Sequence, residues 1–190
     1  MSLHNVQGAT AKPATASDPV ASNNRDVLNP YTSLYARNAD GQFVMASEGQ
    51  ILSEASRVID HRYQTGTEFI QNNVAEEFFR AKLAGCEREV FAVAFLNNRN
   101  ELITYRELFF GSISGVEIHP REVVRAAMSH NAAAVILAHN HPSFYAQVSK
   151  EDIRITRRLC DAMKLLDVKV LDHIIVAGND CVSMAAQGLM

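Results

Sequence analysis

Ala132-Ala133-Ala134-Val135-Ile136-Leu137-Ala138-His139-Asn140-His141-Pro142-Ser143 is the stretch on which the reading of this chain turns. Its apolar first half reads as a buried strand over 132–138. Side chains alternate along an extended chain, so His139 and His141 point to the same side. Ten residues later the sequence continues Ser149-Lys150-Glu151-Asp152, with Asp152 eleven positions after His141. Two imidazole nitrogens and a carboxylate make three ligands of a zinc site whose fourth position stays open. An open position is what a catalytic metal needs, so a metal-dependent hydrolase is the first expectation.

Blander readings compete with it. A histidine beside an apolar run is more often a packed or surface residue than a ligand. His-x-His alone is a weak motif, and the (β/α)8 barrels that also use it need roughly 250 residues, more than the 190 here. Pro142 cannot donate to a sheet ladder, so it ends the strand and opens a loop. Ser149 to Asp152 also reads as a helix start, with Ser149 as N-cap and Asp152 three positions on. The two readings are compatible: an aspartate in a first helical turn is held in one rotamer and aimed back at the strand end.

The hydrophobic content of 47% is enough for one domain with a substantial core. The formal net charge of −3 gives no support to a surface that neutralises many phosphates. Cys86, Cys160 and Cys181 are far apart and odd in number, which fits a reducing compartment rather than a disulfide framework. The N-terminus has no basic segment followed by an apolar core, and no stretch has the length of a membrane span. A cytoplasmic protein is the expectation.

Three segments follow from the pattern. Residues 1–30 are poor in apolar side chains, hold Pro13, Pro19 and Pro30, and read as a disordered tail. Residues 31–84 read as a hairpin around Asp40-Gly41 and two helices. Ser47-Glu48-Gly49-Gln50 is a capping box for the first helix, which carries an apolar stripe of Ile51, Ala55, Val58, Ile59 and Tyr63. The second runs from about Asn73 to Ala84, with Val74, Phe78 and Leu83 inward and Gly85 as its C-cap. Residues 85–190 switch to strands: Glu89 to Leu96, Leu102 to Arg106 and Leu108 to Ile113. A helix with Pro120 at its first position follows, then the strand 132–138, a helix from about Lys150 to Leu166, a strand from Val168 to Val176, and a short strand near Val182. This order predicts an α/β fold, a mixed β-sheet flanked by helices.

The string His-x-His-Pro followed by Ser-x-x-Asp resembles the JAMM (MPN+) metalloprotease motif. Glu89-Val-Phe-Ala-Val-Ala-Phe-Leu, Pro120-Arg-Glu-Val-Val, Ala132 through Ser143 and Leu171-Asp-His-Ile-Ile-Val resemble, in order, blocks of the RadC-like branch of that fold. The likeness covers about residues 85–189, and the segment before it resembles the short RadC-like forms that lack a helix-hairpin-helix module. The resemblance implies the cytidine-deaminase-like JAMM (MPN) fold. It also implies Zn2+ held by His139, His141 and Asp152, with water as the fourth ligand. A glutamate at the start of the first core strand is implied as general base. Glu89 fits best, and Glu87, two residues earlier, is the alternative. Ser149 is implied as the donor to a developing oxyanion.

Each implied role is chemically apt. Zinc lowers the pKa of bound water to about 7, a nearby carboxylate carries the proton, and a hydroxyl stabilises the oxyanion. The family usually has Gly after His-Asn-His-Pro-Ser, where this chain has Phe144-Tyr145. His173 reads either as a partner of a metal ligand or as an ordinary strand histidine, whereas His4, His61, His119 and His130 lack partners at ligand spacing.

The function implied is a zinc metalloprotease or isopeptidase-like hydrolase acting on a protein or peptide. Two alternatives stand beside it. One is a DNA-repair or mobile-element accessory protein, for which charge offers no support. The other is a non-catalytic interaction module. No membrane partner is expected, and the hairpin and first helices leave room for a homo-oligomer.

Overall fold

The computed structural model describes residues 34–69, 72–111 and 117–190. The tail expected over residues 1–30 lies outside the described residues. Residues up to Met45 form one unit and Ala46–Met190 another. Within the first, β1 (Tyr35–Arg37) and β2 (Phe43–Met45) pair antiparallel, with Gly41 at φ +77° in the turn, as Asp40-Gly41 predicted.

In the second unit, α1 (Glu48–Arg62) starts on the expected box: Ser47 accepts from the Gln50 N–H and Gln50 caps the Ser47 N–H. Its stripe is partly covered: Ile51 and Ile59 are half-buried and Tyr63 is buried, while Ala55 and Val58 remain exposed. The helix α2 (Asn72–Leu83) lays Ala75, Phe78, Phe79 and Leu83 on the sheet. Phe78 is the hub, with Tyr63, Phe69, Phe79 and Tyr105 rings tilted or edge-on at 5.2–5.3 Å. Gly85 does not adopt the left-handed C-cap expected of it. The chain leaves this helix through a plain turn in which the Cys86 N–H donates to the Leu83 carbonyl.

The sheet contains β3 (Val90–Leu96), β4 (Leu102–Phe110), β5 (Ala134–Asn140), β6 (Lys169–Ala177) and β7 (Asp180–Ser183) in the order β4-β3-β5-β6-β7. Only the β5–β6 pair is parallel, so the sheet is mixed as predicted. Over the described residues the two strands expected between 102 and 113 are one, β4, and residues 112 and 113 lie outside the described residues. Phe91 pairs with Phe109 and Ala92 with Glu107, so Leu108 is an extra residue in a bulge, and the bulge breaks the alternation that a sequence reading follows. The remaining helices are α3 (Pro120–Ser129) and α4 (Lys150–Lys164). Pro120 sits in the first turn of α3, as the sequence predicted.

The central strands β3 and β5 are buried along their whole length, and their alternation divides the core in two. Val90, Ala92, Ala94, Ile136 and Ala138 face α2. Phe91, Val93, Phe95, Val135 and Leu137 face α3 and α4, meeting Val123, Ala127, Ile155, Leu159 and Met163. The sheet is thus a middle layer with helices on both sides. Among the described residues, no helix is long and apolar enough to cross a membrane.

Candidate metal centre

β5 runs two residues further than the sequence predicted, so His139 lies inside the strand, opposite Phe91 of β3 and Ile175 of β6. His141 is the first residue beyond it, and its N–H still donates to the Val176 carbonyl at 2.8 Å. Both imidazoles emerge on the α4 side of the sheet. Asn140, between them, points to the other side.

Asp152 arrives from α4. Ser149 caps that helix, its Oγ accepting from the Asp152 N–H at 3.0 Å, while Asp152 Oδ2 accepts from the Ser149 N–H at 2.7 Å. The capping and ligand readings therefore hold together: the box fixes a buried carboxylate and leaves its other oxygen facing the histidines. His139 Nε2 lies 3.0 Å from His141 Nε2 and 3.2 Å from Asp152 Oδ1, and His141 Nε2 lies 3.7 Å from Asp152 Oδ2. Ligands at about 2.0–2.1 Å from a tetrahedral ion stand about 3.3 Å apart. The three donors match that spacing, so the residues fit a zinc-sized ion.

The second nitrogen of each ring is also held. His141 Nδ1 is 3.0 Å from the Tyr145 carbonyl, an acceptor only, so it carries the proton and leaves Nε2 as donor to a metal. His139 Nδ1 meets His173 Nε2 at 2.9 Å. Burial disfavours the charged Asp152 carboxylate, and the hydrogen bond from the Ser149 N–H favours it.

Glu89 immediately precedes β3 and lines the same cavity, of about 510 Å³, with His139, His141, Ser149 and Asp152. Burial pushes its carboxyl up. Glu87 is exposed: the chain bends at residues 87–88, so the period-two argument that made it an alternative stops at Glu89. The segment leading to Glu89 is braced by Asn140. Its Nδ2 donates to the Cys86 and Arg88 carbonyls, each at 3.1 Å, and its Oδ1 accepts from the Val90 N–H at 2.8 Å.

The fold thus assembles all five residues singled out in the sequence around one cavity. His119, read as bland, lines its rim. Asn140 and Thr156 went unnoticed. The signal for Asn140 was its place between two ligands, which puts it on the opposite face; for Thr156, the i+4 spacing from Asp152. Phe144 has φ +60°, the left-handed region that glycine enters freely, which explains why glycine suits this position. Its ring packs against Gly178.

A strand-borne His-x-His and a helix-capping aspartate at one end of a mixed sheet define the JAB class of domain, the fold of JAMM-type hydrolases. Within that class the chain belongs to the family described as RadC-like JAB domain, whose model matches residues 70–189. Two proteins of Vibrio cholerae serotype O1, each named UPF0758 protein, are similar to it. One is 47% identical over 143 residues, covering 75% of this chain and 90% of the relative. The other is 45% identical over 161 residues, covering 85% and 99%. UPF0758 protein YeeS of Escherichia coli strain K12 is 46% identical over 144 residues, covering 75% and 97%.

Proposed function

We propose that the protein is a zinc-dependent hydrolase of amide or isopeptide bonds in a protein or peptide. The observation that carries this reading is the convergence of His139 Nε2, His141 Nε2 and the Asp152 carboxylate within 4.8 Å of one another, in a cavity that Glu89 and Ser149 also line. These three residues would hold the zinc. When bound, zinc supplies a hydroxide nucleophile at neutral pH and polarises the carbonyl under attack.

The remaining work falls to the protein's own groups. Glu89 accepts a proton at its carboxylate and returns it to the leaving amine. Its place beside the three candidate ligands in the same cavity puts it within reach of the proton it would carry. Ser149 Oγ already accepts from the Asp152 N–H, so its own hydrogen remains available for the oxyanion. Asn140 holds the segment that ends in Glu89 and keeps the base on the cavity side of the sheet.

Metal analysis of purified wild type and His139→Ala tests the metal. Stoichiometric zinc in wild type and none in the variant is expected, and zinc retained by the variant overturns the assignment. Cells producing wild type or Glu89→Gln then test the reaction through a proteome-wide comparison of cleavage products. Glu89→Gln is expected to keep its zinc while losing hydrolysis by a factor of about 10²–10⁴. Identical product sets, together with salt-dependent retention on DNA, would favour an accessory role without proteolysis.

A further inference from the structure

A buried chain of hydrogen bonds runs behind the metal centre. Thr156 Oγ1 lies 2.6 Å from the Asp152 carbonyl and 2.6 Å from His173 Nδ1, and His173 Nε2 lies 2.9 Å from His139 Nδ1. Thr156 and His173 have no exposed surface and His139 has 2%, so water does not compete for these groups. Phe91 packs edge-on against the His173 ring and closes that side.

The direction of every bond in the chain follows from its fixed end. The Asp152 carbonyl can only accept, so Thr156 donates its one hydroxyl hydrogen there. Its other contact, the Met184 sulfur at 3.6 Å, is a weak acceptor. With that hydrogen spent, Thr156 Oγ1 accepts from His173, which must carry its proton on Nδ1. A neutral imidazole holds one proton, and with that proton on Nδ1 the His173 Nε2 is a bare acceptor facing His139 Nδ1. His139 must then donate from Nδ1, leaving its Nε2 lone pair directed at Asp152 and His141.

We propose that Thr156 and His173 are positioning residues that lock His139 into the Nδ1–H tautomer, the only neutral form able to offer Nε2 to a metal. The lock begins on the main chain of one ligand, Asp152, and ends on the ring of another. His141 receives the same service more directly from the Tyr145 carbonyl. The proposal deepens the zinc reading and rests on it for metal affinity, whereas the tautomer is a property of the metal-free chain.

The test uses metal-free full-length protein with 15N-labelled histidine, examined by long-range 1H–15N correlation above the imidazole titration range. Wild type is expected to show His139 protonated at Nδ1 only. Thr156→Val removes the fixed end of the chain, frees His173 to take the other tautomer, and so populates Nε2–H at His139. Thr156→Ser restores the wild-type pattern. His173→Gln places an acceptor near the former Nε2 and keeps His139 as Nδ1–H, while His173→Phe does not. Zinc titration of the same proteins is expected to give affinity about 10- to 100-fold lower for Thr156→Val and His173→Phe than for wild type. An Nε2–H or doubly protonated His139 in wild type overturns the proposal. So does an unchanged His139 tautomer in a folded Thr156→Val protein. A wild type with the Nδ1–H tautomer and no zinc affinity overturns the zinc reading and supports the lock.

Discussion

α1 and α4 begin with the same device. Ser47 and Gln50 exchange a side-chain and a main-chain hydrogen bond at 3.3 and 2.9 Å, and Ser149 and Asp152 do so at 3.0 and 2.7 Å. At α1 the box is exposed, and the helix has no buried residue within its span. At α4 the box lies at the end of β5, the helix buries Asp152, Ile155, Thr156, Leu159 and Met163, and the capping side chain is a charge rather than an amide. One Asp152 oxygen completes the cap and the other faces His139. A capping box is therefore only a helix start until packing sets it against something. The carboxylate in place of an amide is the one local sign that it does a second job.

The sharpest way to break this comparison is to alter the two third-position residues alike. Asp152→Asn keeps an acceptor for the Ser149 N–H but removes the charge. Zinc affinity measured by calorimetric titration is expected to fall by orders of magnitude, with circular dichroism still showing the fold. Gln50→Ala is expected to leave zinc binding unchanged, and any loss there would mean that the two boxes are coupled.

The N-cap serines separate next. Ser149→Ala is expected to reduce hydrolysis of a substrate found by the proteome comparison by about 10²–10³-fold, the usual cost of one oxyanion donor. It should also lower stability by about 1 kcal/mol, the usual cost of a lost cap. Ser149→Thr restores most of both. Gly178→Ala acts on the loop that separates β5 from α4. A Cβ there would lie 2.7 Å from the Phe144 ring, at a backbone φ of +60°. Denaturant unfolding is expected to show a loss of about 1–2 kcal/mol, partly recovered when Phe144→Gly is added. The smallest effect belongs to Ser47→Ala, about 0.5–1 kcal/mol by the same measurement, with zinc binding and hydrolysis unchanged.

The layered α/β arrangement and the shared face of the two candidate histidines were legible because each rests on a local period. Continuous apolar runs marked β3 and β5, Pro120 marked α3, and alternation put His139 and His141 on one face. β4 was misread as two strands because the bulge at Leu108 interrupts its alternation. Gly85 was taken as a left-handed cap because the residue type permits that conformation without requiring it. The α1 stripe was legible as a pattern, but which part of it is covered depends on where α2 and the sheet end. Asn140 bonds Cys86 54 positions away and Thr156 meets His173 17 positions away, and the choice left open for His173 rests on His139, 34 positions away; only the assembled sheet brings those groups within bonding distance.

The parallel pairing of β5 with β6 has a consequence for how the molecule is made. By the time α4 has left the ribosome, the nascent chain already holds His139, His141 and Asp152. His173 follows the His139 it braces by 34 residues, and β6 must dock beside β5 before the centre has its back wall. A chain truncated late in α4 would keep every candidate ligand and lack the strand whose His173 contacts one of them. His173 and β6 are synthesised after all three candidate ligands, so the pocket has its back wall only once the chain has been made through β6.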